Sequence, residues 1–329
     1  MDADATNSCD KALWRSLATK DSLAAVLTKS GQCDEAETLL REVLKTRETL
    51  GQSRADPDML RTMNNLGAVL NHQGRFSEAE ALHRQVLESD EQILGSEHTS
   101  TITSMNNLAD VLSRQGKLEE AENLQQRALE LSQKVRGPEH PDTLSVMGNL
   151  GSTLLLQHKY EHAEIVSRQV LELRQKVFRE HHPLIATSLH NLAAVLSKRG
   201  KTDEAEELHR REAALGQTDM EEKTSMKDLA GGQFDETEEM HRKEIALGQT
   251  DLEKMTRMSD LARYLGSRGR YDEAEHLFQD VVKLSTEALG TDSSKTSSAM
   301  SQLGDVLIRN GKYKEAEDVH RNVLAMGVA

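Results

Sequence analysis

A seven-residue motif of the form G-x-x-x-E-A-E recurs along the 329 residues of this chain. Its copies, some with one or two substitutions, begin at positions 31, 74, 116, 158, 200, 232, 269 and 311, most often 42 residues apart. Self-similarity at such a period is typical of stacked units that share their cores with their neighbours. The repeat therefore predicts one elongated array, and not the two globular domains that the length alone would suggest.

A second motif precedes each copy and has the spacing of an amphipathic helix. In the third repeat Leu108 and Leu112 would lie on one helical face with Ala109 between them. Ala121 is the small residue of the next segment. Because two helices approach closely only where side chains are small, each repeat is predicted to be a first helix and a second helix. The turn between them carries glycine in seven repeats, whereas His158 would be strained in a left-handed conformation.

Composition agrees with an array that has no large central core. Only 36% of residues are hydrophobic and 3% are aromatic, less than one globule of this size needs. The net charge of −14 argues against a nucleic-acid partner, and no apolar run is long enough to insert in a membrane. The N-terminus lacks an apolar targeting segment and there are only two cysteines, so we expect an intracellular, cytoplasmic location.

The two motifs together resemble tetratricopeptide repeats of the 42-residue, kinesin light chain type. The stretch NNLADVLSRQGKLEEAENLQQRALELSQKVRGPEHP, which begins at Asn106, carries the resemblance almost column by column, and residues 16–326 follow the same pattern. The resemblance implies an all-α, right-handed superhelical solenoid of about eight helix pairs. It also implies a scaffold or adapter for protein–protein interaction. The coiled coil of kinesin light chains is absent from the sequence.

The repeats are not all regular. Segment 207–230 is nearly duplicated by 239–262, and each copy has fewer residues between its second helix and the next first helix. We therefore expect four parts: an N-terminal tail or cap at 1–15, regular repeats at 16–218, a shortened irregular sixth repeat at 219–245, and two further repeats at 246–329.

Asparagine recurs just before the first leucine of the second motif. Because an amide both donates and accepts, this column could grip the backbone of an extended peptide, as it does in tetratricopeptide modules. Basic groups follow seven residues later, and aspartate replaces asparagine near the C-terminus. The predicted groove residues are Asn65, Asn107, Asn149, Asn191, His72, Arg114, Lys198, Asp228 and Asp260. The open alternative is that the asparagines recur by duplication and only cap or solvate the helices.

Nothing in the sequence indicates catalysis or a cofactor. The paired glutamates, such as Glu120 and Glu122, recur in most repeats, whereas a catalytic pair should be unique. Phosphate-binding and nucleophile motifs are missing. The adjacent His181 and His182 could ligate a metal ion, but no cysteine or second histidine pair completes a site. We expect no enzyme, no cofactor and no metal site.

The sequence leaves the biological role open between three interpretations. The first is an adapter that binds a peptide or partner protein in the concave groove of the solenoid. The second is a permanent structural subunit of a large multiprotein assembly. The third is the sensor segment of a larger signalling ATPase. Since no polar helix follows the last repeat, Val319 and Val323 are expected to leave an uncapped apolar edge that could contact a partner.

Overall fold

A computed structural model describes residues 3–178, 182–218, 245, 250–291 and 293–326 of the chain. These residues form helices and no strand, which confirms the all-α fold class, and none of the helices is long and apolar enough to cross a membrane. Seven helix pairs are described, and all but position 245 of the predicted sixth repeat lies outside the described residues. In chain order the helices are α1 (Ala3–Lys29), α2 (Cys33–Thr49), α3 (Pro57–His72), α4 (Phe76–Leu94), α5 (Thr99–Arg114), α6 (Leu118–Arg136), α7 (Pro141–Leu156), α8 (Tyr160–Val177), α9 (Pro183–Lys198), α10 (Thr202–Thr218), α11 (Asp251–Ser267), α12 (Tyr271–Leu289), α13 (Ser294–Arg309) and α14 (Tyr313–Met326).

Local sequence sets the helix boundaries. At Gly116 the backbone has φ 83°, and the amide of the next residue, Lys117, bonds the carbonyl of Leu112 at 2.9 Å. This is the left-handed helix ending that glycine favours. His158 adopts the same conformation at φ 61°, so the strain expected at this position is present. Prolines 57, 141 and 183 stand at the first position of their helices, where a missing amide costs nothing.

The chain divides into two compact units. The second unit comprises residues 76–232, and its described helices α4 to α10 pack consecutively, each against the next. The first helices of its complete repeats, α5, α7 and α9, also contact one another in that order. They form one layer, and the second helices α4, α6, α8 and α10 form the other. Leucine, valine and alanine fill the space between the layers, with Ile102, Met105 and Ala121 fully buried.

The first unit comprises residues 1–75 and 233–329, so it contains both ends of the chain. Helices α11 to α14 pack consecutively, α14 packs against α1, and α1 continues into α2 and α3. The expectation of an uncapped apolar edge after the last repeat is therefore wrong. Helix α1 covers that edge, and Val323 is buried. Residues 3–15, predicted as a tail or cap, are the beginning of α1.

The packing of α14 on α1 reproduces the register between consecutive repeats. In the second unit an arginine of one second helix bonds the first motif glutamate of the next repeat. Arg168 bonds Glu204 in this way at 2.7 Å. At the meeting of the chain ends Arg321 bonds Glu35 at 3.0 Å, and these residues occupy the same two motif positions. The first repeat thus stacks on the eighth as one repeat stacks on the next.

Candidate functional site

The predicted asparagine column is realised as a row across the second unit. Asn107, Asn149 and Asn191 stand at the same height on α5, α7 and α9, and all three are half-buried. The Asn149 amide donates to the side-chain oxygen of Asn106 at 3.1 Å, which links α7 to α5. Asn191 makes no side-chain hydrogen bond to any residue that the structure describes. The row therefore combines an amide engaged between repeats with one that is available to a ligand.

A second row crosses the same helices seven residues, or about two turns, further on. It consists of Arg114, Leu156 and Lys198, all exposed. Arg114 donates to Asp110 of its own helix at 3.2 Å. The carboxylate offsets the positive charge at this point of the surface. Lys198 has no such partner among the described residues, and Leu156 is an exposed large apolar side chain. The surface beyond the asparagines is therefore apolar in the middle and positively charged at Lys198.

The remaining predicted groove residues do not join this surface within the second unit. Asn65 and His72 lie on α3 of the first unit. Asp260 lies on α11, where its carboxylate pairs with Arg263 of the same helix. This pairing weakens the expected repulsion of an acidic ligand at Asp260. Asp228 lies outside the described residues.

The recurring glutamates hold neighbouring repeats together. Glu164 accepts hydrogen bonds from Lys201 at 2.7 Å and from Arg168 at 2.8 Å. Burial opposes ionisation of Glu164, but these bonds and one from Arg199 outweigh it and lower its pKa to about 2. Lys117 bonds Glu80 in the preceding repeat in the same way. The recurring carboxylates therefore join neighbouring repeats.

Most of the histidine columns are structural too. The Nδ1 atoms of His98, His140 and His182 accept the backbone amide two residues ahead, at 3.1–3.2 Å, and so cap α5, α7 and α9. His320 is fully buried, and burial lowers its pKa to about 4. A buried neutral imidazole of this kind fills space in the core.

One histidine cluster was not singled out from the sequence. His190 of α9 and His209 of α10 both face the carboxylate of Glu212, with Nδ1–Oε distances of 3.2 and 3.1 Å. The two imidazole rings lie edge to face, with their centroids 5.8 Å apart. The signal that could have revealed the cluster is Glu212, which stands in a motif column that holds valine or alanine in all repeats except the fifth and the sixth, where Glu244 occupies it.

Comparison with known proteins agrees with the repeating helix-pair fold. Family models described as "Tetratricopeptide repeat" match residues 16–58, 58–132, 103–176, 165–217 and 254–326. No curated protein matches the chain.

Solved structures of the same architecture also match. One is a protein of the kinesin light chain type with nearly identical TPR-like repeats from Podosopora anserina. A variant of it is 28% identical, with a TM-score of 0.51 over 63% of this chain and 97% of that one. Another is BtubC (BKLC) from P. vanneervenii, 23% identical, with a TM-score of 0.53 over 71% and 96%. A Rap protein complexed with competence and sporulation factor is 14% identical, with a TM-score of 0.53 over 88% and 74%. The last two likenesses concern the fold alone.

Proposed function

The chain belongs to the tetratricopeptide repeat family, with repeats of the kinesin light chain type, and from this premise we propose that it is a non-catalytic adapter for an extended peptide segment of a partner protein. Proteins of this family generally serve as interaction scaffolds and not as enzymes. The peptide lies across α5, α7 and α9 of the second unit. The observation that carries the proposal is the row of half-buried asparagines at one height on these three adjacent helices.

The chemistry of the row suits a peptide backbone. An extended peptide presents an amide and a carbonyl at each residue, and each asparagine side chain can bond both. Such contacts do not depend on the peptide's side chains, so the asparagines supply affinity. Selectivity comes from the second row: Leu156 suits an apolar side chain, and Lys198 suits an acidic one or a C-terminal carboxylate.

The experiment requires a bound segment, which cross-linking mass spectrometry of the affinity-purified full-length protein can supply. A synthetic copy of that segment is then titrated by fluorescence anisotropy. Asn191→Ala is the cleanest variant because Asn191 bonds no described residue. We expect it to weaken binding several-fold, since each lost hydrogen bond is worth about 1 kcal/mol. Asn107→Ala/Asn149→Ala should weaken binding more.

The matched control is Asn123→Ala, an exposed asparagine on the second helix α6. It should bind the peptide as the unmodified protein does. Undiminished binding by Asn191→Ala and by the double variant would contradict the groove, as would cross-links confined to the layer of second helices. Melting temperatures of all variants separate loss of binding from loss of folding, because Asn149 also links α7 to α5.

A further inference from the structure

The fifth repeat departs from the other described repeats at a position that in them belongs to the core. Twelve residues after the motif glycine, the other described repeats carry a buried valine or alanine. These residues are Val43, Val86, Ala128, Val170, Val281 and Val323. In the fifth repeat the same position is Glu212, whose side chain is 29% exposed. Burying a carboxylate at a core position costs folding free energy unless hydrogen bonds or opposite charges compensate it.

Two histidines, from two different helices, contact the carboxylate of Glu212. His209 lies three residues before Glu212 on α10, one turn away on the same face. His190 comes from α9, the first helix of the same repeat. Their side chains remain 48% and 60% exposed. The cluster is therefore open to solvent on one side and supported by two packed helices on the other.

The first-helix residue beside His209 differs from the one beside the buried His320. In the eighth repeat the equivalent histidine, His320, lies directly over Gly304, where an added Cβ would come within 2.5 Å of its ring. In the fifth repeat the position of Gly304 is occupied by Ala193, which is fully buried. A ring placed as in His320 would therefore lie against the Ala193 methyl group. The structure instead places His209 at the surface, with its side chain 48% exposed.

We propose that His190, His209 and Glu212 form a binding site for a divalent cation of the zinc class. One ligand atom from each residue lies within 4.8 Å of the other two. His190 Nδ1 lies 3.2 Å from Oε1 of Glu212 and His209 Nδ1 lies 3.1 Å from Oε2, and each separation is close to the ~3.3 Å edge of a tetrahedral zinc site with bonds near 2.0–2.1 Å. A bound ion requires both ligating imidazole nitrogens to be without a proton, so any proton on them is released to solvent.

The ligand set defines the class of metal. Two imidazoles and one carboxylate suit Zn²⁺ and similar transition ions, whereas Ca²⁺ and Mg²⁺ prefer oxygen ligands only. Three protein ligands leave at least one coordination position, and the exposed side of the cluster makes it accessible to water. The bound ion joins α9 to α10, so it also clamps the last described helix pair of the second unit.

The test uses the full-length protein, freed of metal with a chelator and titrated with ZnCl₂ against a chromophoric competitor at pH 7.5. We expect one site that is tighter than the background binding of isolated histidines, of which the chain has 13 in total. His190→Ala, His209→Ala and Glu212→Val should each weaken that site at least tenfold. Zinc should raise the melting temperature of the unmodified protein and leave that of Glu212→Val unchanged.

Glu212→Val introduces the residue that five of the six other described repeats carry at this position, so it should keep the fold while removing a ligand. His162→Ala, an exposed histidine of α8, is the matched control and should bind zinc normally. Equal zinc affinity of the unmodified protein and Glu212→Val overturns the proposal, as does an equal loss in His162→Ala. If Glu212→Val fails to fold by circular dichroism, the comparison of His209→Ala with His162→Ala decides the question.

Discussion

The helix pairs α9/α10 and α13/α14 carry a histidine at the same position of their second helices, yet the two rings have opposite environments. His320 is fully buried over Gly304, whereas His209 is half exposed opposite the column position of Ala193. At the facing position of the first helix, the residues Ala193 and Gly304 differ by a single methyl group. A methyl group at Gly304 would clash with the His320 ring as it is placed. Alanine in this column still allows a buried ring in the seventh repeat, where Ala262 and Phe278 are both buried.

The two helix pairs also differ three residues further along the second helix. Val323 continues the core below His320, but Glu212 replaces it below His209. The α13/α14 pair is therefore packed with an apolar column and covered by α1. The α9/α10 pair instead presents a polar cluster of three ionisable groups. The same repeat scaffold thus produces a structural pair in one place and a candidate ligand site in another.

The largest effect on stability is expected when the space that Gly304 leaves for the His320 ring is filled. Gly304→Ala places a Cβ within 2.5 Å of that ring, so either the ring or the helices must move. We expect a loss of about 2–3 kcal/mol in the free energy of unfolding, measured by urea denaturation. Ala193→Gly, the reverse exchange in α9, should cost only the helix propensity of about 1 kcal/mol. Equal effects of the two exchanges would show that the methyl group does not decide the packing.

The pH dependence of stability should reveal the buried ring. Burial lowers the pKa of His320 to about 4 in the folded protein, against about 6.5 when unfolded. The unfolded state therefore binds the proton first, and stability falls as the pH drops below 6.5 towards 4. His320 should contribute a loss of about 1.5 kcal/mol between pH 6.5 and 5. His320→Leu should remove this part of the dependence in pH-resolved denaturation.

A second buried histidine, His83, contributes to the same pH dependence of stability. Its pKa is also lowered to about 4 by burial, against the opposing charge of Asp110, so His320→Leu should retain roughly half of the histidine-dependent slope. The window above pH 5 also avoids carboxylates such as Glu164, whose stabilising ionisation is lost only below about 4.5. An unchanged slope in His320→Leu would contradict the buried neutral state.

Glu212→Val should make the fifth repeat more like the eighth. In metal-free protein we expect a gain of about 1 kcal/mol in stability, because a valine is buried in place of a carboxylate. Thermal and urea denaturation in the presence of a chelator measure the gain. A marked destabilisation would mean that the contacts of Glu212 with the two histidines outweigh apolar burial.

The smallest expected effect concerns the junction of the chain ends, which distinguishes the eighth repeat from the fifth. A double-mutant cycle on Arg321 and Glu35 should give a coupling energy of about 0.2–1 kcal/mol, as for other exposed ion pairs. The interior pair Arg168 and Glu204 at the same motif positions is the control. A coupling of zero at the terminal pair and a measurable one at the interior pair would argue against the packing of α14 on α1.

Much of the fold followed from local pattern. The spacing of Leu108, Ala109 and Leu112 predicted a first helix, and Gly116 predicted its end, because helical periodicity and a left-handed glycine are properties of short segments. The asparagine row was likewise predictable, since equal spacing puts equivalent residues at one height. The packing of α1 on α14 was not, because the chain ends are nearly 300 residues apart in sequence and their contact depends on how the repeats stack.

The sequence by itself determined the repeating helix pair, its turn, and the identity of the tetratricopeptide family, since these rest on periodicity within about 42 residues. Only the tertiary structure decided that His190 and His209 meet at Glu212 and that His320 is buried. Those outcomes depend on which side chains face each other across two helices. At that distance one methyl group, such as that of Ala193, changes what fits.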